Sequence, residues 1–210
     1  IARIQNEGYH IEIGDIFETP TISGISENLS SVGLAYQVPA NGITEGIDRI
    51  TPSMVPLLEF SQEDIDKVVN QIPEGISNIQ DIYPLSPLQE GIYFHHLMSD
   101  KEIGDPYVSP NLLLFRDKEK RTFFIKALQS VVNRHDVLRT SFVSKDLPSA
   151  VQVVLKEAVL SAEELVINTS DELTPLLQQL ILSGHWMDVS KAPLLGLKYI
   201  DDPENDNYYL

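Results

Sequence analysis

The chain has 210 residues, 42% of them hydrophobic, enough for one substantial core or for one domain plus a smaller piece. Fifteen Lys and Arg against 31 Asp and Glu give a formal net charge of -16, which repels a phosphate backbone and an anionic membrane surface, so neither nucleic acid nor membrane is an expected partner. Cysteine is absent from the sequence, which excludes disulfides, thiolate metal sites and a cysteine nucleophile, and a reducing cytosol fits.

The opening IARIQNEGYHIEIGDIF has no initiating Met and no basic region ahead of an apolar run, and reads as the middle of a structured element. From Ile1 to about Ser30, short helical patterns alternate with breaks at Gly8 and Pro20, and their apolar surface is too small for an independent fold. Residues 31–56 carry Val38-Pro39, Asn41-Gly42, Gly46, Thr51-Pro52 and Pro56 without sustained periodicity, which predicts a linker lying against its neighbour.

Ser61 followed by Asp64 marks a helix start, Ile65, Val68, Val69 and Ile72 form its apolar stripe, and Pro73 ends it. A second helix is predicted from Ser86-Pro87 through His95-His96, with proline at the first turn, where its missing N–H costs nothing. Asn111 to Phe115 suits a buried strand, and Lys118 to His135 suits a helix with Phe123, Phe124, Ala127, Leu128, Val131 and Val132 on its apolar face. Val137 to Val143 and Ala150 to Leu155 read as strands and Leu173 to Leu182 as a helix. Leu194 to Ile200 and Tyr208 to Leu210 read as strands joined by the acidic turn DDPENDN. Helices mixed with strands imply an α/β lobe. No apolar run reaches the roughly 18 residues of a membrane span, and both ends read as cuts through a longer polypeptide.

His95 and His96 are the first residues that could carry chemistry. Neighbouring helical side chains diverge by about 100°, so the pair does not serve one metal, but one imidazole can face a pocket as a base while the other packs. On spacing alone such a pair is more often ordinary packing or surface than catalytic. Arg134 and Arg139 in NRHDVLRTSF lie where a helix gives way to a strand, and cations there bond free carbonyls and oppose the helix dipole, which predicts structural support. His185 and Trp186 stand in a plain GHWMDV context and read as packing residues. Phosphate loop, nucleophile elbow and zinc-helix motifs are absent from the sequence.

In order along the chain, these segments resemble the nonribosomal peptide synthetases. RIQNEGYHIEIGDIFETPTISGISENL is similar to the last part of a peptidyl carrier domain, whose phosphopantetheine serine lies upstream in a Gly-Gly-His-Ser motif that this chain lacks. The stretch from Ile50 to Leu97, with IQDIYPLSPLQEGI before two histidines, resembles the lead-in of condensation domains of the dual epimerization/condensation subtype. The extra motif of that subtype, two histidines, Leu or Ile, a spacer and Gly-Asp, matches His95-His96-Leu97, MSDKEI and Gly104-Asp105, with a spacer two residues longer. NRHDVLRTSF matches the family's RHxxLRTxF motif, and MDVSKAPLLGLKYI resembles FDLxxAPLLRxxL, with Gly196 where Arg is common.

The resemblance implies a carrier remnant over residues 1–30, a linker over 31–56, and the amino-terminal lobe of a condensation domain over 57–210. That lobe has an α/β fold like chloramphenicol acetyltransferase. The main condensation motif, two histidines, three residues and Asp, is expected after the strand that YYL begins. By the same resemblance, His95, His96 and Asp105 are the catalytic candidates for epimerization, with Arg134 and Arg139 supporting the site. The implied partners are upstream and downstream carrier domains bearing 4'-phosphopantetheine thioesters and an adjacent adenylation domain, with no metal. An ordinary condensation domain and a non-catalytic docking fragment remain the alternatives.

Overall fold

Local capping chemistry sets most helix starts in the computed structural model, which describes residues 2–31, 40–167, 172–202 and 205–210. The chain divides into two units, Ile1–Ala40 and Asn41–Leu210. In the first, three short helices, α1 (Ala2–Asn6), α2 (Ile13–Glu18) and α3 (Ile22–Asn28), accompany an antiparallel pair, β1 (Tyr9–His10) and β2 (Ser30–Ser31). The Thr21 hydroxyl accepts the Gly24 N–H at 3.1 Å and so caps α3. Ile13, Phe17 and Ile22 remain exposed, in keeping with the small apolar surface read from this segment.

Residues 32–39 of the expected linker lie outside the described residues. From Asn41 onward it belongs to the second unit, where Ile43, Ile50 and Val55 are buried in the main apolar core. Side-chain bonds tie the same stretch down: the Asn41 amide donates to the Gln80 carbonyl at 2.9 Å and the Gln62 amide to the Ile50 carbonyl at 2.8 Å.

The second unit opens on α4 (Gln62–Gln71), whose Ser61 and Asp64 form the reciprocal capping box expected of that spacing. Its Ile65 and Val68 are fully buried against a three-stranded antiparallel sheet of β3 (Ile79–Pro84), β6 (Val151–Leu155) and β5 (Thr140–Val143), with β6 in the centre. Between β3 and β5 run α5 (Pro87–Met98), β4 (Leu114–Phe115) and α6 (Lys118–Arg134). A second sheet has the order β4, β9 (Asn207–Tyr209), β8 (Leu197–Asp202), β7 (Ala162–Glu164), and α7 (Leu173–Leu182) follows β7 in the chain. Only the β7–β8 pairing is parallel among the described residues.

Three expectations change. The strand predicted over Asn111 to Phe115 shortens to two residues and is not buried, because β4 is the edge of its sheet and Leu112, Leu113 and Leu114 keep about two fifths of their surface. Residues 136–139 form a tight 3-10 turn rather than the start of β5. The inward face of α6 is Arg121, Ile125, Leu128 and Val132, while Phe123, Ala127 and Val131 lie outward and Phe124, partly exposed, packs on Phe115 of β4 with ring centroids 5.5 Å apart. A charged residue leads the buried face because Arg121 is neutralised there: its guanidinium lies 2.5 Å from Asp201 and 4.4 Å from the centre of the Tyr199 ring.

Candidate active site

Ser86 opens α5 with a capping box, its hydroxyl accepting the Gln89 N–H while the Gln89 side chain accepts the Ser86 N–H. That fixes where the helix begins and therefore which way each of its two adjacent histidines points. His96 turns inward and is 5% exposed, whereas His95 stays at the surface beside the rings of Phe94 and Tyr107, with a long 3.5 Å contact to the Tyr107 hydroxyl. His96 Nδ1 lies 2.6 Å from Asp105 Oδ2, and Asp105 is equally buried.

The loop after α5 delivers this carboxylate. Gly104 sits at φ +99°, in the region that side chains disfavour, and the next N–H, that of Asp105, donates to the His185 carbonyl at 2.6 Å. The other carboxylate oxygen, Oδ1, accepts the Tyr107 N–H at 2.8 Å. With Nδ1 engaged by Asp105, Nε2 is the ring nitrogen left to accept a proton, the arrangement by which a carboxylate fixes a histidine's tautomer and steadies its protonated form.

Aromatic rings enclose the imidazole. Trp186 stacks on it with centroids 5.1 Å apart and planes 24° apart, and Tyr93 stacks at 6.2 Å. Tyr93 is itself held by a 2.7 Å hydrogen bond to the Ser144 hydroxyl. His96 and Asp105 line a cavity of about 980 Å³ whose walls are mainly apolar, among them Ile92, Leu128, Phe142, Leu180 and Leu195. A buried His–carboxylate pair on an apolar cavity can take a proton from a weak carbon or heteroatom acid held there.

The two arginines separate. Arg139 is buried, and its guanidinium donates to the carbonyls of Leu155 and Val132 at 2.9 Å each, to that of Asn133, and to Gln80 and Asp136. It thereby closes the C-terminus of α6 onto β6. Arg134 is exposed on the last turn of α6, and its side chain makes no hydrogen bond or ion pair among the described residues. Trp186 escapes a reading of the sequence, since nothing in GHWMDV marks a contact made 90 residues away. The Arg121–Asp201 pair escapes it too. Burial raises the pKa of the Asp201 carboxyl, but the hydrogen bonds and charges of Lys118 and Arg121 outweigh it and hold the group below the usual aspartate value.

The model of the condensation domain matches residues 79–210, from the first residue of β3 onward. The chain belongs to the condensation domain family of nonribosomal peptide synthetases. This condensation domain is 42% identical to Malpinin synthetase of Mortierella alpina over 93% of its own length, and 40% identical to Malpibaldin synthetase of the same organism over 92%. It spans 2% of the length of the first relative and 4% of the second. Among solved structures it is similar to the condensation domain of the Monacolin K polyketide synthase, with 20% identity and a TM-score of 0.46, covering 63% of this chain and 29% of that one. The matched span contains α5, the His96–Asp105 pair and Arg139. Among the described residues, no helix of the condensation domain is long and apolar enough to cross a membrane.

Proposed function

We propose that residues 57–210 are the amino-terminal lobe of a dual epimerization/condensation domain, and that residues 1–30 are the end of the carrier domain that feeds it. In this reading the lobe is one half of a chloramphenicol-acetyltransferase-like enzyme. An upstream carrier presents an aminoacyl or peptidyl thioester on its phosphopantetheine arm. The domain inverts the α-carbon and then joins the residue to the amine held by a downstream carrier, loaded by an adenylation domain.

The single observation that supports epimerization is the buried His96–Asp105 pair, 2.6 Å apart, on the wall of the apolar cavity. A thioester acidifies the neighbouring C–H, and a neutral imidazole whose Nδ1–H is held by a carboxylate offers Nε2 as the base. His96 takes the α-proton, water reprotonates the enolate on its opposite face, and His96 returns its proton to solvent, so the inversion balances. Condensation needs a different group, one near the incoming amine.

The test is chiral analysis of products from the assembled synthetase, given L- and D-configured upstream thioesters. His96→Ala is expected to abolish inversion of the L donor and to leave condensation of the D donor. Inversion at the wild-type rate in this variant would leave an ordinary condensation domain as the reading.

A further inference from the structure

Trp186 is the residue in contact with His96 that neither the motif nor the hydrogen-bond network accounts for. Its indole stacks on the imidazole at 5.1 Å and 24°, while the Lys101 ammonium lies 4.1 Å from the centre of the same indole ring. Lys101 is exposed and Trp186 half-buried, whereas His96 is 5% exposed, so the indole stands between the histidine and the side of the molecule that Lys101 occupies. Both residues come from segments next to the point where the backbones of Gly104 and Gly184 touch: Lys101 precedes Gly104 by three residues and Trp186 follows Gly184 by two.

We propose that Trp186 is a positioning residue that holds the His96 ring in the plane in which Nδ1 faces Asp105 and Nε2 faces the cavity. The proposal rests on the reading of His96 as the base. An imidazole on a helix keeps a free χ2 rotation unless something packs on its faces, because that torsion has no sharp staggered wells. The hydrogen bond to Asp105 fixes one edge of the ring, and a flat partner on its face fixes the remaining tilt. Tyr93, from the same helix, stacks at 6.2 Å, and Trp186 supplies the closer contact. Stacked aromatic pairs are worth about 0.5–1.5 kcal/mol beyond the area they bury. The Lys101 ammonium engages the indole by a cation–π contact, and so restrains the ring that restrains the histidine. When His96 is protonated during the reaction, the charged groups that face it include Asp105, hydrogen-bonded to it, and Lys101 beyond the indole. Nearby titratable groups are Tyr93, stacked on its ring, Tyr107, whose N–H bonds Asp105, and His95 and His185, with His185 Nε2 already held by the Leu180 carbonyl at 2.6 Å.

The experiment has a readout that needs no catalysis. A short, buried Nδ1–H to carboxylate hydrogen bond gives a downfield proton resonance that survives only while the proton is shielded from exchange with water. In the 210-residue chain this resonance is expected for the native protein and for Trp186→Phe, and is expected to be lost in Trp186→Leu, which keeps apolar bulk without a ring to stack. In the assembled synthetase, Trp186→Leu should slow inversion of the L donor by about 10²-fold, the scale set by misplacing a catalytic group by an ångström. Condensation of the D donor should persist, and Trp186→Phe should restore most of the inversion. A Trp186→Leu protein that retains native spectral dispersion, the downfield resonance and inversion overturns the proposal. So does equal loss with both donors, which would make Trp186 a support of the fold. Loss of the resonance with inversion intact would sustain the positioning of the ring and sink His96 as the base.

Discussion

Gly104 and Gly184 cross at backbone contact. A Cβ added to Gly104 would lie 2.6 Å from Gly184 Cα, and one added to Gly184 would lie 1.7 Å from the Ile103 carbonyl oxygen. The crossing is what lets the Asp105 N–H reach the His185 carbonyl, and it thereby places the carboxylate beside His96.

Substitution at either glycine is therefore expected to undo the pair from a distance. Gly104→Ala should cost about 1–3 kcal/mol for its positive φ alone, with its backbone overlap in addition, and Gly184→Ala more, because its overlap with the Ile103 carbonyl is far deeper and backbone cannot turn aside. Gly91, exposed within α5, meets nothing within 4 Å, so Gly91→Ala should stabilise the protein by about 0.5–1 kcal/mol. Urea unfolding of the three variants measures the contrast, and a Gly184→Ala protein as stable as the native one would contradict it.

Arg139→Ala is expected to cost about 3 kcal/mol or more, since it strands the buried carbonyls of Leu155 and Val132 that the guanidinium satisfies. Arg139→Lys should recover little, because one ammonium cannot reach five acceptors set around a planar fork. Asp136→Ala should matter far less, its side chain being 58% exposed. Thermal denaturation ranks the three, and activity lost at unchanged stability would instead give Arg139 a direct part in chemistry.

Much of this is legible in the chain because it is local. Ser61 with Asp64, and Ser86 with Gln89, encode their helix starts within a single turn, and the divergence of His95 from His96 follows from helix geometry alone. Which histidine turns inward is not legible, as that depends on the face α5 presents to β5 and β6, strands that come from much later in the chain. The outward turn of Phe123 and Val131 is hidden for the same reason. Hydropathy cannot foresee that Arg121 is buried once Asp201, 80 residues on, offers it a counter-charge. Leu112 to Leu114 look like a core strand until β4 proves to be an edge.

Asp201 gives the unit a pH dependence with a definite sign. Its carboxyl titrates below the usual value near 3.8, so the folded state binds fewer protons there than the unfolded chain does. The stabilisation from pairing with Lys118 and Arg121 is thus fully present above pH 3.8 and is lost as pH falls through the depressed folded value. The melting temperature of the native protein is expected to exceed that of Asp201→Asn at neutral pH, and the gap to close as pH drops below 3.8. A gap that stays constant through this range would assign the difference to packing rather than to charge.

Asp105→Asn separates orientation from mere presence of a neighbour for His96. The amide is the same size as the carboxylate and can keep the Tyr107 N–H bond, so the loop should stay in place. What it removes is the charge that steadies an imidazolium and the guarantee that Nδ1 carries the proton, because an amide can also donate and so leave Nε2 protonated and useless as a base. Inversion of an L-configured upstream thioester by the assembled synthetase should fall by at least about 10²-fold, within the range a positioned acid–base group contributes. Condensation of the D-configured donor should continue. His95→Ala is the matched control, being one residue from His96 yet at the surface, and should invert at close to the native rate. Chiral chromatography of products from both variants, with each donor in parallel, measures the difference. Native inversion by Asp105→Asn would remove the carboxylate from the mechanism, and a deficit in His95→Ala as large as in Asp105→Asn would reassign the motif to holding α5 in place.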